Sequence, residues 1–304
     1  MKIAPLAAVI TLSLIASTTV AAQGERLRDR IAARQAARDA GTGAVGEQTI
    51  SYGSDRLQTL DFTAARGVHG PAPLILFVHG GGWKRGDKDN ATGSEKPAHF
   101  SGKGYNFATA NYRLVPGVTV EQQAQDIADA LSVLLGQAKE LGIAPGKVVL
   151  MGHSAGAHLV ALVGTDPQFL RKAGLSLADV AGIVPIDGAA YDVPLQMETG
   201  PRIMQKTYQQ AFGSDPARQR ALSPTAQATA PNTAAFLLLH VQRPDGVQQA
   251  QALETALRGA GTAVERRDFD GTGLQGHAEI NRRLGDPDYP ATPVVDEWLA
   301  RILR

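Results

Sequence analysis

The 304-residue sequence contains no cysteine. That excludes a disulfide scaffold, thiol catalysis and any cysteine-ligated metal. An excess of charge of one sign is also missing, since 30 Lys and Arg stand against 29 Asp and Glu. A near-neutral chain gives no electrostatic reason to expect nucleic acid or an anionic membrane as a partner. No group of His, Asp and Glu has metal-ligand spacing, and neither a metal nor a cofactor is expected. The glycine-rich stretches lack the Lys-Ser/Thr of a P-loop and the G-x-G-x-x-G spacing, which argues against a phosphate cradle. No internal repeat is present. Long hydrophobic runs are scarce. The one that opens the chain, "MKIAPLAAVITLSLIASTTVAAQ", holds roughly 16 apolar or small residues after its Lys, short for a span of about 20. Its build is that of a secretory signal, with Val20 and Ala22 at the −3 and −1 positions of a cleavage site. Residues 1–22 are therefore read as a signal peptide, cleaved after Ala22. The expected location is secreted or periplasmic, with no membrane span in the mature chain.

What is present suits a globular enzyme-sized domain. Hydrophobic residues make up 43% and charged residues 19% of the chain, enough apolar material for a substantial core. Residues 23–47 are rich in Arg and Ala, with Glu25, Asp29 and Asp39 diluting the charge, and are read as a solvated leader segment. From residue 48 to 304, short apolar runs alternate with helical patterns. The runs are 74–80, 106–112, 147–153, 180–187, 234–241 and 263–269. Apolar positions Ile127, Leu131, Leu134 and Leu135 mark one of the helices between them. Such alternation predicts an α/β fold with one doubly wound, mostly parallel sheet and helices on both faces. The segment 189–234 is longer than a strand-to-helix unit needs. It is expected to form a small helical insertion over the carboxyl edge of the sheet, where such folds bind ligands.

Two glycine motifs carry the chemistry. In "KVVLMGHSAGAHLVALVG" Ser154 sits between a buried run and a helix, framed by Gly152 and Gly156. The pattern alone would arise by chance about 0.1 times in a chain of this composition, so its placement on a strand–turn–helix matters more. A serine held out on a strained turn needs neighbours without side chains, and the helix N-terminus beside it supplies unpaired N–H groups. Upstream, His79-Gly80-Gly81-Gly82 directly follows another buried run, a match expected by chance about 0.01 times. Acyl transfer builds negative charge on a carbonyl oxygen, and successive glycines let backbone N–H groups face it. The expected oxyanion donors are Gly81, Gly82 and Ala155, with Ser154 as nucleophile.

A serine needs a base and an acid that orients the base. In this kind of sheet the chain order is Ser, then Asp or Glu, then His. Asp245 follows the run at 234–241 and His277 follows the run at 263–269, and these are the expected acid and base. Among the other acids, Asp187, Asp268 and Asp270 remain alternatives, while Asp126 and Asp129 are placed on a solvent-facing helix. His79 is expected to brace its glycine turn. Trp83, His153, Asp187 and Tyr191 are expected to contribute to the substrate pocket.

With these residues assembled, the chain resembles the α/β-hydrolase superfamily, and within it the HGGG-type carboxylesterases of the hormone-sensitive-lipase-like or BD-FAE-like branch. "HGGGW" with the following "GDK", "NYRLVP" and "GHSAGAH" carry the resemblance, which spans residues 48–304. It implies a cofactor-free hydrolase of a small-molecule ester, short-chain or aryl. The "HGGGW" turn is also similar to that of arylformamidases, and feruloyl esterases and some exported peptidases use the same machinery. A non-catalytic binding module on the same fold is the reading from another class.

Overall fold

The apolar runs form eight strands: β1 (Glu47–Ser51), β2 (Thr59–Thr63), β3 (Ala72–Val78), β4 (Asn106–Ala110), β5 (Ile143–His153), β6 (Gly182–Ile186), β7 (Ala235–Val241) and β8 (Ala263–Phe269). The computed structural model describes residues 47–229 and 231–304. The expected signal peptide, and the leader segment up to residue 46, lie outside the described residues. Among the described residues no helix is long and apolar enough to cross a membrane.

The strands join one sheet in the order β1-β2-β4-β3-β5-β6-β7-β8. β2 runs antiparallel to β4, and every pairing from β4 through β8 is parallel. Strands buried on both faces read as continuous apolar runs, which is why "LILFV" and "VVLM" show no alternation in sequence. The two-residue period reappears in the packing. Leu74, Leu76 and Val78 join one core cluster, while Ile75 and Phe77 join the cluster on the other face.

Helices cover both faces. In chain order they are α1 (Glu95–Gly102), α2 (Val120–Gly136), α3 (Ala138–Leu141), α4 (Ala155–Thr165) and α5 (Pro167–Lys172). Then come α6 (Val193–Thr199), α7 (Gln205–Phe212), α8 (Pro216–Ala221), α9 (Pro224–Gln227), α10 (Pro244–Gly259), α11 (Gly273–Arg283) and α12 (Ala291–Ile302). Helix α4 is buried along its whole length and shares the first cluster with Ile127, Leu131 and Leu134 of α2. Val295, Trp298 and Leu299 of α12 pack into the second cluster. Thr119 starts α2 with a reciprocal capping box to Gln122.

The expected insertion at 189–234 contains α6 to α9. Its scattered prolines are helix starters: α6, α8 and α9 each carry Pro in the first turn, where the missing N–H costs nothing. One surface expectation fails. Asp126 of α2 is buried, because Arg113 folds back over the helix. The Arg113 guanidinium and backbone N–H and the Gln58 amide all donate to the Asp126 carboxylate.

Candidate active site

The carboxyl ends of β5 and β6 lie side by side, with His153 in register with Ile186. The sheet hydrogen bonds continue past both strands. Ser154 N–H donates to Ile186 O at 3.0 Å, and Asp187 N–H donates to Leu239 O at 2.7 Å. Ser154 and Asp187 are therefore fixed by the sheet and not by flexible loops.

Ser154 has φ 57° and ψ −117°, a left-handed turn of a kind that costs a non-glycine residue about 1–3 kcal/mol. The flanking glycines allow that turn by close approach. A Cβ on Gly156 would sit 2.1 Å from Val78 O, and one on Gly152 would sit 2.4 Å from Gly156 O. Helix α4 starts immediately after the serine.

His277, in the second turn of α11, places Nε2 3.0 Å from Ser154 Oγ. Its Nδ1 lies 2.6 Å from Asp187 Oδ2. With Nδ1–H donating to the carboxylate, Nε2 is left to accept from the serine hydroxyl, a tautomer assigned from the hydrogen bonds. The sequence expectation of Asp245 at this position is corrected. Arg243 stands between Asp245 and the rest of the site, and its Nη1 donates to both Asp245 oxygens at 3.2 Å. Its Nε donates to Asp187 Oδ2 at 2.9 Å. The Gln196 amide takes Asp245 from the other side at 3.4 Å.

Asp187 is fully buried. Burial alone would raise its pKa, but the hydrogen bond from His277 and the Arg243 charge outweigh it and hold the carboxyl at about 2. Val241 N–H donates to the second oxygen at 3.2 Å, so both carboxylate oxygens face donors. Asp187 also has φ 43°, a conformation uncommon for a residue with a side chain. His153, expected in the pocket, lines the cavity and pairs through Nε2 with His277 O at 2.9 Å. Burial keeps its pKa well below the usual imidazole range, so it stays neutral as a brace on the His277 backbone.

Beside this chain of groups opens a cavity of about 870 Å³, lined by Ser154, His277, Gly81 and Gly82 among others. Gly81 has φ 132°, and a Cβ there would meet Arg85 O at 1.8 Å, so no other residue fits the turn. Among the described residues the N–H groups of Gly81, Gly82 and Ala155 have no acceptor. His79 braces the turn from below. Its ring stacks on Tyr112 at 4.4 Å, and the Tyr112 hydroxyl donates to His79 O at 3.0 Å. Trp83 lines the cavity while its Nε1–H donates to His158 Nδ1 at 3.3 Å. Edge-on contacts with Tyr208 and Phe212 tie it to α7. Tyr191 and Asp187 do not line the cavity. Tyr191 is buried beneath Gly188, where burial pushes its phenol pKa upward. Among the described residues no cluster of His, Asp and Glu could hold a metal.

Lys96 was not singled out from sequence. It is fully buried, and its Nζ donates to Thr92 O at 2.7 Å, to Asn281 Oδ1 at 3.0 Å and to Asn281 O. Asn281 lies one turn beyond His277 on α11, and its amide donates to Ala91 O at 2.9 Å. This polar knot fastens residues 91–96 to the helix that carries His277. Burial lowers the Lys96 pKa to about 7, the Glu95 charge opposing only weakly. An unfolded lysine titrates near 10.4. Between pH 7 and 10 the unfolded chain therefore binds a proton that the folded chain does not, and stability rises with pH across that window. Relative to Lys96→Met, the natural chain should gain up to about 4 kcal/mol between pH 7 and 10. Urea midpoints at pH 6.5 and 9.5 check this; parallel pH curves for the two proteins would refute it.

The BD-FAE family model matches residues 60–257. A probable isoprenylcysteine alpha-carbonyl methylesterase of Arabidopsis thaliana is 31% identical over 127 residues, which are 42% of this chain and 26% of that protein. The chain thus spans about a quarter of that relative's length. A kynurenine formamidase of Danio rerio is 24% identical over 260 residues, covering 83% of this chain and 81% of that protein. Among solved structures, esterase B from Lactobacillus rhamnosis superposes with a TM-score of 0.66 at 21% identity, covering 94% of each chain. That likeness concerns the fold, the α/β-hydrolase sheet with helices on both faces. The match of the family model over most of the described residues places this chain in the BD-FAE family.

Proposed function

We propose that the protein is a carboxylic ester hydrolase that works through Ser154, His277 and Asp187. The observation that carries the reading is the continuous hydrogen-bonded line from Ser154 Oγ through His277 to Asp187, opening on a cavity beside Gly81 and Gly82. Ser154 Oγ attacks the ester carbonyl carbon while His277 Nε2 takes its proton. The former carbonyl oxygen becomes an oxyanion that accepts hydrogen bonds from the N–H groups of Gly81, Gly82 and Ala155. Asp187 holds the ring and stabilises the imidazolium. As the C–O bond breaks, His277 returns its proton to the leaving alcohol. Water, deprotonated by the same imidazole, then adds to the acyl-enzyme; collapse of that intermediate releases the acid and restores Ser154.

The cavity supports short-chain or aryl esters. Its lining includes the aromatic Trp83 and Tyr208, and its aliphatic members Ile203 and Leu274 are exposed, which gives a long acyl chain little to be buried against. A p-nitrophenyl ester series should give the highest kcat/KM at acetate to butyrate and a fall of about tenfold or more at palmitate. Hydrolysis of none of these esters would remove the reading. The same groups can attack a formamide, and the formamidase likeness favours that as the second reading. It prevails if kcat/KM for N-formylkynurenine exceeds that for every ester of the series.

A further inference from the structure

The two walls of the cavity differ in charge. On the side of Arg243 the one cation is already taken, by Asp245 at 3.2 Å and by Asp187 at 2.9 Å. The opposite wall, built by the turn after Gly82 and the end of α11, contributes Arg85, Asn90 and Arg282. All three are exposed. Among the described residues the Arg85 and Arg282 guanidinium groups make no hydrogen bond or ion pair. The carboxylates of both elements are engaged elsewhere, and none lines the cavity. Asp87 accepts from Asn111, Asp89 from Lys88, and Glu95 from Ser94. Glu279 and Asp286 are held by Arg283, at 3.6 and 2.7 Å. Arg282 helps to keep the Asp286 carboxyl ionised, but the bonds to that carboxylate come from Arg283. The cavity thus has no unpaired cation on one side and two on the other.

We propose that the site selects esters whose leaving group carries a carboxylate, bound by Arg85 and Arg282. The proposal rests on the hydrolase reading above. The leaving oxygen departs toward His277, which must protonate it. Arg282 lies five residues further along the same helix, about 7.5 Å along its axis at 1.5 Å per residue. A leaving alcohol one aromatic ring long, with the carboxylate para to the oxygen, is about as long as that rise, and Arg282 lines the same cavity as His277. Guanidinium groups favour such a partner because they offer paired donors to a carboxylate.

The test compares 4-acetoxybenzoate with phenyl acetate on the full chain. The two share an acyl group and differ by the para carboxylate. The natural chain should lose its preference for the anionic ester in Arg85→Gln/Arg282→Gln. The kcat/KM ratio, anionic over neutral, should fall about tenfold to a hundredfold, as expected when one or two charge-assisted bonds are removed. Arg85→Lys/Arg282→Lys should keep most of the ratio, and 0.5 M salt should reduce it in the natural chain, since exposed charges are screened. A ratio unchanged in the glutamine variant, with phenyl acetate still hydrolysed, overturns the selectivity and leaves the hydrolase reading standing. Failure to hydrolyse either ester overturns both.

Discussion

Ser154→Ala should lower kcat for p-nitrophenyl butyrate by about 10⁶, and should abolish labelling by a fluorophosphonate probe while the fold is kept. The size follows from how the groups act. In the proposed mechanism, once the attacking oxygen is gone His277 and Asp187 have nothing to activate, so a single deletion costs about as much as removing the whole set. What survives is the residual rate from oxyanion donors and substrate positioning, about 10³–10⁴ over water in the best-studied serine hydrolases. The substitution removes one oxygen from a side chain whose backbone is held by Ile186 O and by the start of α4, so thermal unfolding should barely move. A variant that kept more than about 1% of kcat would show that Ser154 is not the nucleophile.

Much of this site was legible in the sequence because it is local. Ser154 is legible since the glycines two residues away on either side answer to backbone contacts with Val78 O and Gly156 O, and only glycine meets that demand. The Gly81 turn is legible for the same reason. The strands were legible as apolar runs, and β8 falls on the expected residues 263–269. The insertion at 189–234 was legible as helical but not helix by helix, because prolines that begin helices look like loop prolines until the capping residues Asp192 and Asp215 are seen in place. The acid was illegible for a different reason. Asp187 and Asp245 both follow strands at the carboxyl edge, on neighbouring strands β6 and β7, and chain order favours the later one. The choice between them is made in three dimensions by Arg243, which occupies the space after β7 and takes Asp245 for itself. An arginine two residues before the expected acid was the available signal, since a carboxylate so close to a guanidinium is liable to be committed. Lys96 gave no signal at all; a lysine between Glu95 and Pro97 reads as surface.

That division between the two acids yields the second large effect. Asp187→Asn should lower kcat by about 10⁴, as loss of the orienting carboxylate does in other serine hydrolases, while Asp245→Asn should stay within about tenfold of the natural chain. The asymmetry comes from the donors around each carboxylate. Asp187 Oδ2 receives His277 Nδ1 and Arg243 Nε, and Oδ1 receives Val241 N–H. An asparagine has one oxygen for two positions that both face donors. If its oxygen takes the Oδ2 place, its NH₂ opposes Val241 N–H and a buried donor is left unpaired, which costs about 1–3 kcal/mol. If it turns over, the NH₂ faces Arg243 and His277, and the ring must adopt the tautomer with Nδ1 unprotonated. The proton then sits on Nε2, where it cannot receive one from Ser154. Asp245, by contrast, gives up only its bonds to Arg243 and Gln196. Arg243 stays held by Asp187 and by the carbonyls of Asp187 and Gly188. Because the Asp187 carboxyl is held at about 2, it stays ionised from pH 4 to 9, and the defect in Asp187→Asn should persist across that range. A larger loss in Asp245→Asn than in Asp187→Asn would mean that the loop after β7 rearranges on substrate binding and delivers its own carboxylate to His277.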